Sequence, residues 1–176
     1  TRLVNNVLDF SRLEQGEKRY NLEGLDLSKS LKDVLDAQRP RLAGEGFEVE
    51  WVAPEDECLI EADRDALEQV LLNLVDNVVK YASEGKFIEV RVISNHDEVS
   101  FEVADHGPGI PVEQREHVFE TFHRVDDSLT ASQPGCGLGL GIARKLLEGM
   151  GGVISCEQNK PRGVRFRAVF PKGSGS

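Results

Sequence analysis

Apolar positions along the chain keep two rhythms, one helical and one alternating, and the switches between them outline the fold. Leu3, Val4, Val7, Leu8, Phe10 and Leu13 recur at helical spacing with Gly16 near their end, which predicts a helix from Arg2 to about Lys18. One short amphipathic helix cannot bury its stripe alone, so this one is expected to need a partner outside the chain. Asn21-Leu22-Glu23-Gly24 reads as a linker. A second helix is predicted from near Ser28 through Leu31, Val34 and Leu35, fading around Gly44. Short β signals follow at Phe47–Val52 and Leu59–Ala62. Asp63 then stands as the N-cap of a helix through about Ala82, with Leu67, Val70, Leu71, Leu74, Val75 and Val78 as its buried stripe.

Ile88–Ile93 and Val99–Ala104 alternate as a strand pair joined by the turn Asn95-His96-Asp97-Glu98. The stretch from Pro111 to Pro134 has mixed polarity and is expected to be mobile. The glycine run opens into Ile142-Ala143-Arg144-Lys145-Leu146-Leu147-Glu148, which reads as a helix and precedes two last strands, Val153–Glu157 and Val164–Phe170. Strands and helices intermingle without strict βαβ alternation and without an internal repeat. The prediction is an α/β fold, a mixed sheet covered by helices on one face and preceded by a short helix.

Four stretches carry candidate chemistry. From Gly135 to Gly141 every second residue is glycine, and the run opens into Ile142-Ala143-Arg144-Lys145. Such a loop is either a hinge or a cradle in which backbone N–H groups and a helix N-terminus receive phosphate. On the helix after Asp63, Asn73, Asn77 and Lys80 lie at i, i+4 and i+7, with Tyr81 four residues beyond Asn77. The stripe is either a solvated face or a site where an Asn oxygen holds Mg²⁺ and Lys80 offsets phosphate charge; asparagine is a poor helix former, which favours the site.

Asp105-His106-Gly107-Pro108-Gly109-Ile110 closes the strand from Val99. Asp105 is in phase with Val99, Phe101 and Val103, so it points to the core side, where a carboxylate needs donors. It either starts a glycine turn or recognises a ligand donor such as an adenine amino group. His106 reads as a turn residue without a catalytic role. In Phe119-Glu120-Thr121-Phe122-His123-Arg124 the two phenylalanines either pack ordinarily or pin one end of a mobile segment, and the Arg124 guanidinium can reach a phosphate.

Composition narrows the field. The 176 residues, 39% apolar and 30% charged, suit one well-cored domain with a small attachment. A net charge of −10 argues against binding a nucleic-acid backbone but leaves room for a nucleotide site built from local donors. No apolar stretch approaches the roughly 20 residues of a membrane span. Cys58, Cys136 and Cys156 are too few and too scattered for a disulfide framework or a metal cluster, which suits a reducing cytosol. The chain opens at Thr1 inside a helical pattern, so it is expected to be part of a longer protein, and Gly173-Ser174-Gly175-Ser176 reads as a flexible tail.

Taken together, Asn77-Val78-Val79-Lys80-Tyr81, Asp105-x-Gly107-x-Gly109-Ile110, Phe119-x-x-Phe122-x-Arg124 and Gly135-x-Gly137-Leu138-Gly139-Leu140 resemble, in order, the N, G1, F and G2 boxes of sensor histidine kinases. These are the catalytic ATP-binding domains of the gyrase–Hsp90–histidine kinase–MutL superfamily. The resemblance covers roughly Leu27 to Lys172. The opening Leu3-Val4-Asn5-Asn6-Val7-Leu8-Asp9-Phe10-Ser11-Arg12-Leu13-Glu14 resembles the end of the second helix of the dimerisation and phosphoacceptor hairpin. Val78, His106 and Cys136 depart from the family's usual alanine, asparagine and threonine or serine.

The resemblance implies a Bergerat-type two-layer sandwich divided into hairpin helix (1–20), linker (21–26), ATP-binding domain (27–173) and tail (174–176). It implies ATP and Mg²⁺ as cofactors, with Asn77 on the metal and Asn73 supporting phosphates or metal. Lys80 and Arg124 would contact phosphate, and Asn73, Lys80 and Arg124 would form the catalytic set. Tyr81 would lie by the base and Asp105 would recognise the adenine amino group. Gly107, Gly109 and Ile110, with Gly135, Cys136, Gly137, Leu138, Gly139 and Leu140, would frame the nucleotide and its lid. The implied partners are the phosphoacceptor hairpin of a homodimeric parent protein and a response-regulator receiver domain, with no nucleic acid and no membrane contact by this part. A cytoplasmic location is implied, whether or not the parent has a membrane anchor.

Hydrolytic members of the superfamily resemble one another in placing a glutamate one turn before the metal-binding asparagine; here that position is Asn73. An amide cannot take a proton at neutral pH, so transfer to an acceptor is favoured over hydrolysis. His96, His106, His117 and His123 do not sit in an acceptor context, and the acceptor is expected upstream of Thr1. Two other readings stay open: a serine-directed anti-sigma-type kinase with the same boxes, and a degenerate docking module that does not use ATP.

Overall fold

The structure is a computed structural model that describes residues 2–16, 18–120 and 139–173. Helix α1 spans Arg2–Glu14, strand β1 Glu23–Asp26 and helix α2 Leu27–Gly44. Strands β2 (Glu48–Val52) and β3 (Leu59–Ala62) lead into helix α3, Arg64–Tyr81. Strands β4 (Phe87–Ser94) and β5 (Glu98–Asp105) form a hairpin, followed by 3₁₀ turns at Val112–Gln114 and His117–Phe119. Helix α4 (Gly139–Gly149) and strands β6 (Val153–Gln158) and β7 (Val164–Pro171) complete the described chain.

Five strands form the main sheet in the order β2-β4-β5-β7-β6, parallel between β2 and β4 and antiparallel elsewhere. Period-two alternation sorts its residues onto two faces. On one face Ile88, Val90 and Val92, Val99, Phe101 and Val103, and Phe166, Ala168 and Phe170 are buried in one cluster with the stripes of α2, α3 and α4. The other face carries charge. Register places Arg91, Glu102 and Arg167 side by side. Arg165 pairs with Glu102 at 2.9 Å, and Arg167 with Glu98 at 3.2 Å. Arginine stems lie along β5 on this face, and Ser100 and Glu102 are buried like Phe101 between them. The mixed sheet with helices on one face is the expected sandwich.

Two segments differ from expectation. Part of the stretch read as a linker is β1, whose Leu25 is buried and pairs antiparallel with β3. Its polar residues hide that pairing, which is decided by the distant β3, where Leu59 stands opposite Asp26. The α1 stripe is also partly covered within the chain. Phe10 and Leu13 pack against the core, Glu14 pairs with Lys145 of α4, and the Tyr20 hydroxyl donates to the Lys145 carbonyl at 3.5 Å. Val7 and Leu8 remain exposed. No helix among the described residues is long and apolar enough to cross a membrane.

Candidate functional site

Asp63 fixes where α3 begins. Its Oδ1 accepts from the N–H groups of Asp65 and Ala66 at 3.0 and 3.1 Å, and its Oδ2 from that of Asn21 at 2.9 Å. With that start set, the apolar residues face the sheet and the stripe Asn73, Asn77, Lys80 and Tyr81 lies along a neighbouring face. The stripe is not uniformly solvated. Asn73 is buried, Asn77 and Lys80 are half-buried, and Tyr81 is exposed.

Asn73 has a definite partner. Its Nδ2 donates to the Gly139 carbonyl at 3.2 Å, tying the middle of α3 to the first residue of α4. The first N–H groups of an α-helix lack intrahelical acceptors, so the start of α4 presents donors beside this stripe. Leu140 is half-buried against the core, and Gly141 lies so close to the Phe119 carbonyl that a Cβ there would stand 3.1 Å from it. Phe119 is buried edge-on against Phe166, with ring centroids 6.1 Å apart, and the Arg144 guanidinium lies over its ring, 5.5 Å from the centroid.

Asp105 ends β5 with its carboxylate buried. Oδ1 accepts from the N–H of Gly107 at 2.9 Å and from that of Val164 on β7 at 3.1 Å. Burial pushes this carboxyl above its ordinary range, against the pull of those two donors and of nearby His106 and Arg162. Gly107 closes the distance to α3: a Cβ on it would stand 2.7 Å from the Ala82 Cβ. Gly109 has a φ of 83°, and Ile110 is half-buried on the core while its carbonyl accepts from Arg115 Nε at 3.1 Å. His106 stacks on Phe87, with ring centroids 4.0 Å apart and planes 14° from parallel.

Contacts thus tie α3 to the start of α4, through Asn73 and Gly139, and the end of α3 to the Asp105–Ile110 loop, through Ala82 and Gly107. Arg124, Gly135, Cys136, Gly137 and Leu138, with Phe122 and His123, lie outside the described residues. Among the described residues, no three His, Cys, Asp or Glu side chains stand together as a metal cage.

Sequence reasoning missed the turn between β6 and β7. Asn159 is buried and its Nδ2 donates to the Asp105 carbonyl at 2.8 Å, while Arg162 Nε donates to the Gly107 carbonyl at 3.0 Å. Gly163, with a φ of 102°, abuts Asp105 so closely that a Cβ would fall 2.0 Å from the Asp105 oxygen. The usable signal was a Pro161-x-Gly163 turn before a strand.

Residues 62–174 match the family model described as histidine kinase-, DNA gyrase B- and HSP90-like ATPase. The hybrid signal transduction protein dokA of Dictyostelium discoideum is 35% identical over 92% of the chain and 10% of its own length. The sensor protein KdpD of Escherichia coli is 33% identical over 98% of the chain and 19% of its own length. The chain therefore spans a fifth or less of either relative. The crystal structure of full-length ShkA in complex with AMPPNP superposes with a TM-score of 0.84 at 31% identity, over 99% of this chain and 36% of that one. Histidine kinase ThkA in complex with the response regulator protein TrrA superposes with a TM-score of 0.76 at 25% identity, over 98% and 48% of the two chains.

Proposed function

The chain belongs to the histidine kinase-, DNA gyrase B- and HSP90-like ATPase family, and from that premise we propose that it is the ATP-binding catalytic module of a two-component sensor histidine kinase. The observation that carries this is Asp105: a buried carboxylate, its Oδ1 held by two backbone donors, in a glycine loop seated on the end of α3. A pinned acceptor of this kind suits the exocyclic amine of adenine. The AMPPNP bound by a relative of the same fold supports it.

From the base, the triphosphate would run along the Asn73, Asn77 and Lys80 stripe toward the start of α4. Tyr81 would flank the base, and Gly107, Gly109 and Ile110 would let backbone approach it closely. Lys80 and Arg124 would contact phosphate, and residues 135–140 would close over it. Bound through Asn77 and the phosphates, Mg²⁺ would neutralise charge developing on the transferred phosphoryl group. Asn73 donates a hydrogen bond and offers no base for activating water, so the site would position ATP for an acceptor. The acceptor would be a histidine on the dimerisation hairpin of the parent protein, of which residues 1–20 would be the final part. Residues 27–173 would be the catalytic domain, in a cytoplasmic setting. A response-regulator receiver domain would take the phosphoryl group onward, as the ThkA complex with TrrA suggests by analogy.

Isothermal titration with Mg²⁺-ATP tests the reading. Saturable binding by the chain, weakened in Asp105→Asn, is expected; no binding by the folded chain overturns it.

A further inference from the structure

Both backbone carbonyls flanking His106 accept from side chains of a single turn. Asn159 Nδ2 holds the Asp105 carbonyl at 2.8 Å and Arg162 Nε holds the Gly107 carbonyl at 3.0 Å. We infer that the β6–β7 turn is a positioning device for base recognition, and that Arg162 within it sets how strongly the site prefers adenine to guanine. The inference rests on the reading of Asp105 as the base-recognition group.

The turn is itself braced. The Asn159 N–H donates to the Gly163 carbonyl at 3.0 Å, and Arg165 donates to Asn159 Oδ1 at 3.0 Å. Gly163 leaves no room for a Cβ beside Asp105, and Gly107 leaves none beside Ala82 at the end of α3. The loop is therefore clamped between the end of α3 and the β6–β7 turn. Arg162 spans the clamp, because its NH2 group also lies 3.8 Å from Glu84 in the turn after α3. A planar guanidinium serves both partners at once, which an ammonium does not do as well.

Clamping matters because discrimination between bases depends on a fixed acceptor. Adenine presents a donor where guanine presents an acceptor, so a rigid carboxylate welcomes one and repels the other. Without Arg162 the Gly107 carbonyl loses its donor. Gly107 then moves more freely, and with it the N–H that fixes Asp105 Oδ1. A carboxylate free to turn away would tolerate guanine better and hold adenine less well. Arg162 acts through the loop rather than on base or phosphate, so it is a positioning residue.

The test uses Arg162→Ala, Arg162→Lys and Asn159→Ala in the 176-residue chain, with Asp105→Asn as control. Titrations with the Mg²⁺ complexes of ATP, GTP and inorganic triphosphate are paired with amide exchange of Gly107 in the absence of nucleotide. In Arg162→Ala, the ATP-to-GTP affinity ratio should shrink by about three- to ten-fold, triphosphate affinity should hold, and Gly107 exchange should quicken. Arg162→Lys should recover part of the ratio. Asn159→Ala should behave as Arg162→Ala does; if this buried change prevents folding, Arg162, whose side chain is half exposed, decides alone. An unchanged ratio and unchanged Gly107 exchange in Arg162→Ala overturn the inference while wild type still prefers ATP. An equal loss for ATP and triphosphate overturns it as well. A wild type without preference for ATP, or an Asp105→Asn that keeps the preference, overturns the reading of Asp105 itself and this inference with it.

Discussion

The side-chain amide of Asn73 donates to the backbone carbonyl of Gly139, 66 residues away, across 3.2 Å. This bond joins the polar stripe of α3 to the residue where α4 begins. Only a donor can make it. Asn73→Ala should therefore cost about 1 kcal/mol of stability, the usual worth of one such bond. Asn73→Asp should cost more, about 1–3 kcal/mol, since it sets a carboxylate against a carbonyl in a buried position. Urea denaturation of the two variants beside wild type orders them: an Ala variant as stable as wild type would show that the amide's donor role is unimportant, and equal stability of Asp and Ala would remove the carboxylate–carbonyl repulsion from the explanation.

Asp105 offers a separation of stability from binding. An Asn side chain keeps an oxygen for the N–H groups of Gly107 and Val164 and removes a buried charge. The raised carboxyl means that the folded protein holds this proton more tightly than the unfolded chain does. In the window from the ordinary value of 3.8 upward to the raised one, the native state binds more protons, so this group's contribution to stability falls as pH rises and is flat above. Asp105→Asn should lack that fall and be at least as stable as wild type at pH 7. Its ATP affinity should nonetheless drop by about ten- to a hundred-fold, because a buried donor–acceptor match is lost. Wild-type ATP affinity should weaken as pH falls through the raised value. Denaturation midpoints and titration calorimetry from pH 4 to 7 check both halves.

What was legible in the sequence was what short-range physics decides. The Asp63 cap and the apolar stripe of α3 lie where periodicity put them, because three to four residues suffice to define a helix face. The Asn95 turn is likewise local: its Oδ1 accepts from the N–H groups of Asp97 and Glu98. Strand β1 was not legible, since only Leu25 in it is buried and its pairing partner is remote. Alternation on β5 did put Asp105 with the core-facing residues, but it did not foresee that Glu102 on the other face is equally buried under arginine stems. In the candidate site, the α3 stripe came from helical spacing and Asp105 from strand alternation, and the order of the motifs joined them into one site. Asn159, Arg162 and Gly163 were missed, because they meet Asp105 and Gly107 across more than 50 residues and through a turn without periodicity.

Gly163 is the most constrained of these. Its φ of 102° is strained for any residue with a Cβ, and that Cβ would collide with the Asp105 backbone at 2.0 Å. Gly163→Ala should cost at least about 2 kcal/mol, and ATP affinity should fall with it as the loop shifts. Gly151 is a control, with a φ of 83° and open space for 4 Å around the place a methyl would take, so Gly151→Ala should cost less. Thermal unfolding compares them, and equal losses would remove the collision from the explanation.

Asp63 should report on acid stability. Burial raises its carboxyl, but the N–H groups of Asn21, Ala66 and Asp65 and the charge of Lys18 outweigh burial and leave it below the ordinary value. Its contribution is therefore present above 3.8 and lost as pH falls through the depressed value. Asp63→Ala should cost about 1–2 kcal/mol at pH 7 and should flatten that acid-side loss. Denaturation at pH 7 and pH 3 distinguishes this cap from a carboxylate of no consequence.

The sharpest functional expectation concerns where phosphate ends up. Among the described histidines, His96 is exposed and paired with Asp97, His106 is stacked on Phe87, and His117 is paired with Glu120. His106 is the nearest to Asp105, and a group beside the base stands at the opposite end of a bound nucleotide from its γ-phosphate. Transfer needs an acceptor in line with the γ-phosphate. The chain should therefore not label itself when incubated with Mg²⁺ and γ-³²P-ATP, yet it should label the separately supplied phosphoacceptor hairpin of its own parent, with an acid-labile and base-stable product. Labelling in trans should be slow, because two separate molecules lack the high effective concentration of a tethered pair, and it should quicken as hairpin concentration rises. The Asp105→Asn chain should label the hairpin more weakly at limiting ATP and approach wild type at saturating ATP, since it weakens holding of the base and leaves the phosphate end intact. Strong acid-labile self-labelling of the chain would place the acceptor within these residues and overturn transfer to an outside histidine.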